Sequence, residues 1–182
     1  MSEGDAVRQP ATPLGWRRAA AAGLTFRPIT DDDFPFLAAL YASTRSQELS
    51  VVAWSEEEKA AFCNAQFQAQ HAHYLKTYAG ADWLLIQRNG EAIGRVYIVR
   101  WAREHRIIDI AFMPAHCGQG LGSALLRDLM EEAAAQGKSV SIHVERFNPA
   151  LRLYCRLGFT KADEHGVYDL MQWKAAGEAN VL

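Results

Sequence analysis

Asp109-Ile-Ala-Phe-Met-Pro-Ala-His-Cys-Gly-Gln-Gly-Leu-Gly-Ser123 reads as a buried strand, a glycine-rich turn and a helix start in direct succession. Gly118, Gly120 and Gly122 remove side chains from the turn. A diphosphate can then approach backbone NH groups that lie at the positive end of the following helix. The expected ligand is a phosphorylated cofactor. Its type depends on what the glycines do not match. No Lys-Ser/Thr pair follows them in Leu121-Gly122-Ser123, as a kinase-type phosphate loop requires. A dinucleotide fingerprint needs other glycine offsets and a later acidic residue.

Outward from this run, 182 residues with 49% hydrophobic and 22% charged side chains suit one globular domain burying about 70% of its unfolded surface. A net charge of -2, with Lys and Arg scattered, leaves no basic footprint for nucleic acid. Cys63, Cys117 and Cys155 are odd in number and widely spaced, so neither a disulfide framework nor a zinc site is expected, and a reducing cytoplasm fits. No apolar run approaches the ~20 residues that span a bilayer. The chain is expected to be soluble, unexported and without a membrane partner.

Residues 1–23 mix Gly, Pro, Ala and charge without core periodicity and read as a mobile tail, with some helix in 16–22. The packed domain is expected over 24–174, with a second tail at 175–182. A short strand at 24–29 precedes Thr30-Asp-Asp-Asp33, which caps a helix carrying Phe36, Leu37, Leu40 and Tyr41. The polar stretch 43–50 reads as a loop, and Ser55-Glu-Glu-Glu58 as the capping box of a helix running to about Tyr78. Strands at 83–87 and 92–101 are joined by a tight hairpin at Asn89-Gly90, and 107–113 is the fourth strand. Leu125, Leu126, Leu129 and Ala133 form one stripe of a helix over 120–136. In the strand 138–145, Val140, Ile142 and Val144 alternate with Ser141, His143 and Glu145, so one face is apolar and the other can line a polar cleft. A helix over 149–157 and a hairpin of 159–163 with 167–173 close the chain. The pattern supports a mixed α/β sheet with helices on both faces.

The glycine run Cys117-Gly-Gln-Gly-Leu-Gly122 resembles the Q/R-x-x-G-x-G/A motif of the GNAT superfamily of acyl-CoA-dependent N-acyltransferases, with Cys117 at the Arg/Gln position. Asn148-Pro-Ala-Leu-Arg-Leu-Tyr-Cys-Arg-Leu-Gly-Phe159 resembles the later motif of the same superfamily, through its leading asparagine and its L-Y-x-K/R-x-G-F ending. The resemblance covers about 24–174. It implies about seven strands with four helices, and central strands splayed to admit acetyl-CoA. It places the pantetheine arm against the backbone of Ile110, Ala111, Phe112 and Met113, and the diphosphate at Cys117, Gly118, Gln119, Gly120, Leu121, Gly122 and Ser123. The Phe112 NH would sit near the thioester oxygen. Asn148, Tyr154 and Arg156 complete the implied cofactor contacts, and relatives in this superfamily are often dimers.

Transfer of an acyl group to an amine needs a neutral nucleophile, a carbonyl held beside it and a proton source for the leaving thiolate. By resemblance that source is Tyr154; the alternative reading is a packed tyrosine with a structural hydrogen bond. For the general base, Asp109 comes first, because a charge within an apolar strand needs a reason. Glu145 is the second carboxylate. His143 has the better ordinary pKa, and could instead pair within the sheet or meet the substrate. Glu48 could hold an ammonium. Asn148 also suits a helix cap. The expected function is acetyl transfer from acetyl-CoA to a primary amine acceptor of a small molecule, in a ternary complex without a metal. A protein N-terminus or lysine is the alternative acceptor, and a noncatalytic acyl-CoA sensor is the alternative from another class.

Overall fold

Asn89 and Gly90, at φ 53° and 82°, make the left-handed turn that a two-residue hairpin requires. They join β2 (Asp82–Arg88) to β3 (Glu91–Arg100). The computed structural model describes residues 15–175. Its further elements, in chain order, are α1 (Arg17–Ala21), β1 (Leu24–Pro28), α2 (Phe34–Leu49) and α3 (Glu56–Thr77) before the hairpin. After it come β4 (Glu104–Phe112), α4 (Leu121–Ala135), β5 (Ser139–Glu145), α5 (Leu151–Arg156), β6 (Thr160–His165) and β7 (Tyr168–Trp173). The seven strands form one sheet in the order β1-β2-β3-β4-β5-β7-β6. The β4–β5 pair is parallel and the other five pairs are antiparallel.

Strand alternation divides the core in two. β2 sends Leu84 and Ile86 to one cluster and Leu85 to the other, as a side-chain period of two dictates. The larger cluster packs Leu125, Leu126, Leu129 and Ala133 of α4 against Val96, Ile98, Val140 and Ile142. The smaller one packs Leu37 and Tyr41 of α2 with Cys63 and Phe67 of α3 on Leu85. Helices therefore cover both faces. Among the described residues, no helix is long and apolar enough to cross a membrane.

Two boundaries differ from the sequence reading. The stretch 43–50 is not a loop, since α2 continues to Leu49. Ser43 Oγ donates to the Leu40 carbonyl at 2.7 Å, Thr44 Oγ1 to Tyr41 at 2.7 Å and Ser46 Oγ to Ser43 at 3.0 Å. Hydroxyls that favour turns are here absorbed by the helix's own carbonyls. The packed body also begins before residue 24, because Trp16 is 1% exposed and sits edge-on to Phe26 at 4.8 Å. Its indole NH donates to Glu132 at 2.7 Å, and the Ala19 NH donates to the buried Asp128 at 2.8 Å. A distant carboxylate thus caps a five-residue helix that has no apolar stripe of its own. Residues 1–14 and 176–182, where the outer parts of both expected tails fall, lie outside the described residues.

His71 and His105 are 8% and 0% exposed, and burial lowers both below the ordinary imidazole pKa. The unfolded chain then takes up these protons first. The stability that the neutral rings contribute is complete above about pH 6.5 and is lost as pH falls through their folded-state values. Thermal unfolding followed from about pH 8 to about pH 5 should show the midpoint falling below about 6.5. His105→Gln should flatten that fall, and an unchanged slope in the variant would remove His105 from the account.

Candidate active site

The parallel pairing of β4 with β5 runs from Glu104↔Ser139 to Ile107↔Ile142 and stops. Beyond it, β4 stays on β3 through Tyr97↔Asp109, Val96↔Ile110, Arg95↔Ala111 and Gly94↔Phe112. β5 stays on β7 as far as Glu145↔Tyr168. The two strands part, and a wedge opens between 109–112 and 143–145. Met113 NH donates to the Ile93 carbonyl at 2.8 Å. Backbone direction alternates along a strand, so the NH groups of Ile110 and Phe112 point the other way, into the wedge. Met113 itself is not free for a ligand: its carbonyl accepts the His116 NH at 2.8 Å.

The glycine turn lies at the wide end of this wedge. Gly120 is the residue before α4, at φ 78°, and Gly118 has φ 73°. Both adopt the left-handed region that glycine enters without strain. No side chain caps α4, so its first-turn NH groups are available to an anion. Gln119 braces the turn, its Nε2 donating to Ala115 O at 2.8 Å and its Oε1 accepting from Arg88 at 3.0 Å. Cys117 Sγ points back to the carbonyls of Phe112 and Met113, 3.6 Å from each. Leu121 is buried, Ser123 half-buried, and Gly122 brings the first turn of α4 against Leu153 and Phe112.

Tyr154 is only 4% exposed and meets Phe159 edge-on at 5.5 Å. Burial, and then the Asp109 charge, push its phenol well above the ordinary tyrosine value. Asp109 is not a lone carboxylate. Its Oδ2 accepts from Nε of Arg95 at 2.6 Å and lies 2.5 Å from the terminal Nη2. Tyr97, opposite Asp109 on β3, is pushed up to about 12 by burial. Glu145 Oε1 accepts from the Tyr168 hydroxyl at 3.2 Å. The Tyr168 phenol is raised by burial and by Glu145, and it feels the charge of Arg45 on α2. The Asp109 charge thus reaches Tyr154, and the charge of Arg45 on α2 reaches Tyr168 beside Glu145.

A sequence model of the Acetyltransferase (GNAT) family matches residues 37–159. The chain belongs to that family. Among curated relatives of this GNAT chain, a mycothiol acetyltransferase of Corynebacterium aurimucosum is 36% identical over 100 residues, 53% of this chain and 29% of that protein. One from Corynebacterium glutamicum is 31% identical over 123 residues, 64% of this chain and 40% of the relative. The chain therefore spans less than half the length of these relatives. The fold is shared with the PaiA N-acetyltransferase of Thermoplasma acidophilum, solved with coenzyme A, at TM-score 0.63 and 16% identity, covering 83% of this chain and 98% of that one. It is shared also with a GNAT acetyltransferase of Elizabethkingia anophelis, solved with acetyl-CoA, at TM-score 0.54 and 21% identity over 84% and 98%.

Other residues singled out in this GNAT sequence take different places. Glu48 is on the last turn of α2 and pairs with Arg45 at 2.7 Å, not in a loop. His143 Nδ1 faces the Arg106 guanidinium at 3.3 Å. The guanidinium only donates, so in the neutral ring the proton sits on Nε2. Burial and then Arg106 lower its pKa. That tautomer offers the cleft a donor and not a base. Asn148 Oδ1 accepts from Ala150 NH at 2.9 Å and closes the turn before α5, which begins at Leu151 and not at Pro149. Arg156 is exposed on α5. Sequence reasoning missed Arg95 and Tyr168. Arg95 carries the signal that singled out Asp109, a charge inside an apolar strand, whereas Tyr168 carries none.

Proposed function

We propose that this chain is an acetyl-CoA-dependent N-acetyltransferase whose acceptor is a primary amine of a small molecule. The observation that carries this reading is the wedge. Unpaired strand NH groups of Ile110 and Phe112 face it, an uncapped helix start lies at one end, and the buried Tyr154 is near enough to Asp109 to feel its charge. An extended amide-bearing arm would find partners along β4 and an anion would find them at 118–123. Relatives named as mycothiol acetyltransferases, and neighbours solved with coenzyme A or acetyl-CoA, support the same cosubstrate.

Acetyl-CoA supplies an activated acetyl carbonyl. The strand NH groups of Ile110 and Phe112 would hold its arm, and the Phe112 NH would be the donor available to negative charge developing on the thioester oxygen. Asp109 accepts the proton that leaves the amine as the C–N bond forms. Tyr154 would give its proton to the thiolate as the C–S bond breaks, so the products would be an amide and a thiol. Arg45 of α2 is near enough to Tyr168 for its charge to be felt, which supports an acceptor side bounded by α2 and β7 over an open peptide groove.

Isothermal titration with acetyl-CoA, beside desulfo-CoA and an adenosine nucleotide, tests the cosubstrate, and release of CoA across an amine panel tests the transfer. Tight binding with amine-dependent release is the expected result. Binding without release would favour the sensor reading, and no binding would mean that Cys117 marks a lost site.

A further inference from the structure

We infer that Arg95 is a positioning residue, a buried cation that locks Asp109 in the orientation in which it meets the acceptor amine; this rests on the transferase reading above. The pair is asymmetric. The Arg95 side chain is 3% exposed and that of Asp109 is 22% exposed, so the carboxylate reaches the cleft and the guanidinium stands behind it. Both Arg95 contacts end on one oxygen, Oδ2, which leaves Oδ1 for whatever enters. Arg95 is in turn held from three sides. Its Nη2 donates to Gln70 Oε1 of α3 at 3.1 Å. Its guanidinium carbon lies 5.6 Å from the Phe67 ring centre and 5.1 Å from that of Tyr97.

Stability alone does not account for this arrangement. A buried ion pair is a weak source of stability compared with well-packed apolar side chains of the same volume, and the surrounding positions of β3 are apolar. What the pair does provide is direction. An aspartate pinned through one oxygen cannot swing about its side-chain torsions, and the geometry of amine attack tolerates little misplacement. Arg95 takes no part in the bond changes. It acts only through Asp109.

The test compares wild type with Arg95→Met, Arg95→Lys, Asp109→Asn and the Arg95→Met/Asp109→Asn double variant. Acetyl-CoA affinity is read by calorimetry and acceptor kcat/KM by CoA release. Arg95→Met should lower acceptor kcat/KM about tenfold, within the ~100-fold that a misplacement of about 1 Å can cost, with acetyl-CoA affinity unchanged. Arg95→Lys should recover part of the loss, because an ammonium can reach the same oxygen through one bond. The double variant should fall no further than Asp109→Asn, since residues that act as a unit are non-additive. Full acceptor kcat/KM in Arg95→Met, or a loss that adds fully to that of Asp109→Asn, overturns the inference. Should Arg95→Met fail to fold, wild-type kcat/KM in Arg95→Lys overturns it. A wild type that binds acetyl-CoA but transfers to no amine overturns this inference together with the transferase reading, whereas transfer that ignores Arg95 overturns this inference alone.

Discussion

Replacing Tyr154 by Phe is expected to lower kcat about 100-fold while acetyl-CoA affinity and melting temperature stay close to wild type. The substitution removes one oxygen and keeps the ring that packs edge-on to Phe159, so the core has no cavity to absorb. Burial and the Asp109 charge both hold the proton on this phenol. The donor is therefore present at neutral pH and is not titrated away at moderately alkaline pH, as a histidine acid would be. A departing thiolate without that donor must take its proton from water, and general acid catalysis by a positioned group contributes about 10²–10⁴-fold. Single-turnover kinetics with saturating acetyl-CoA separates this chemical step from product release. A purely structural hydroxyl would give the opposite result, lower thermal stability with kcat intact, and that outcome would remove Tyr154 from the mechanism.

Tyr154 and Asp109 have complementary tasks, and their surroundings suit them to it. The phenol is buried against apolar neighbours, where only its neutral, proton-bearing form is stable. The carboxylate is backed by the Arg95 guanidinium, which fixes where it stands. The phenol also feels Asp109, whose negative charge raises it. A neutral acceptor amine entering between them could donate an N–H hydrogen bond to Asp109, so the residue that receives the proton on attack also orients the nitrogen.

Local pattern revealed most of the fold and only part of the site. The α4 stripe, the β5 alternation and the Asn89-Gly90 hairpin were readable because each is decided by residues within one turn or one strand. The helix over 16–22 was also read, but not its docking on the core, since it is held by Asp128 and Glu132, more than 100 residues away. The last turns of α2 were misread for a local reason, hydroxyls whose preference for turns is met by i−3 carbonyls instead. The wedge itself leaves no mark on composition, because β5 alternates in the same way where it pairs with β4 and where it does not. Only the family resemblance anticipated it. Asp109 was legible as a charge in an apolar strand, yet its partner sits diagonally across β3, a relation that depends on register.

Register also makes Gly94 the most sensitive backbone position of the wedge. A Cβ built there would lie 2.4 Å from the Ala111 carbonyl oxygen and 3.1 Å and 3.3 Å from Cδ1 and Cα of Phe112. A side chain can rotate away from such a contact, but a strand carbonyl cannot, so β4 would have to move as a unit. A lone glycine inside a strand signals this kind of close approach. Gly94→Val is therefore expected to cost about 3 kcal/mol, the upper range of overpacking, and to lower the melting temperature by about 6–12 °C in a chain of this size. The displaced segment is Ala111–Phe112, which supplies the Phe112 NH to the wedge, so acetyl-CoA affinity should fall in the same variant even at temperatures where it remains folded. Gly94→Ala should show the same two effects in weaker form. If Gly94→Val lost stability but kept full affinity for acetyl-CoA, the cosubstrate would not be held by this edge of β4, and the Phe112 NH would have to be given up as its oxygen-facing donor.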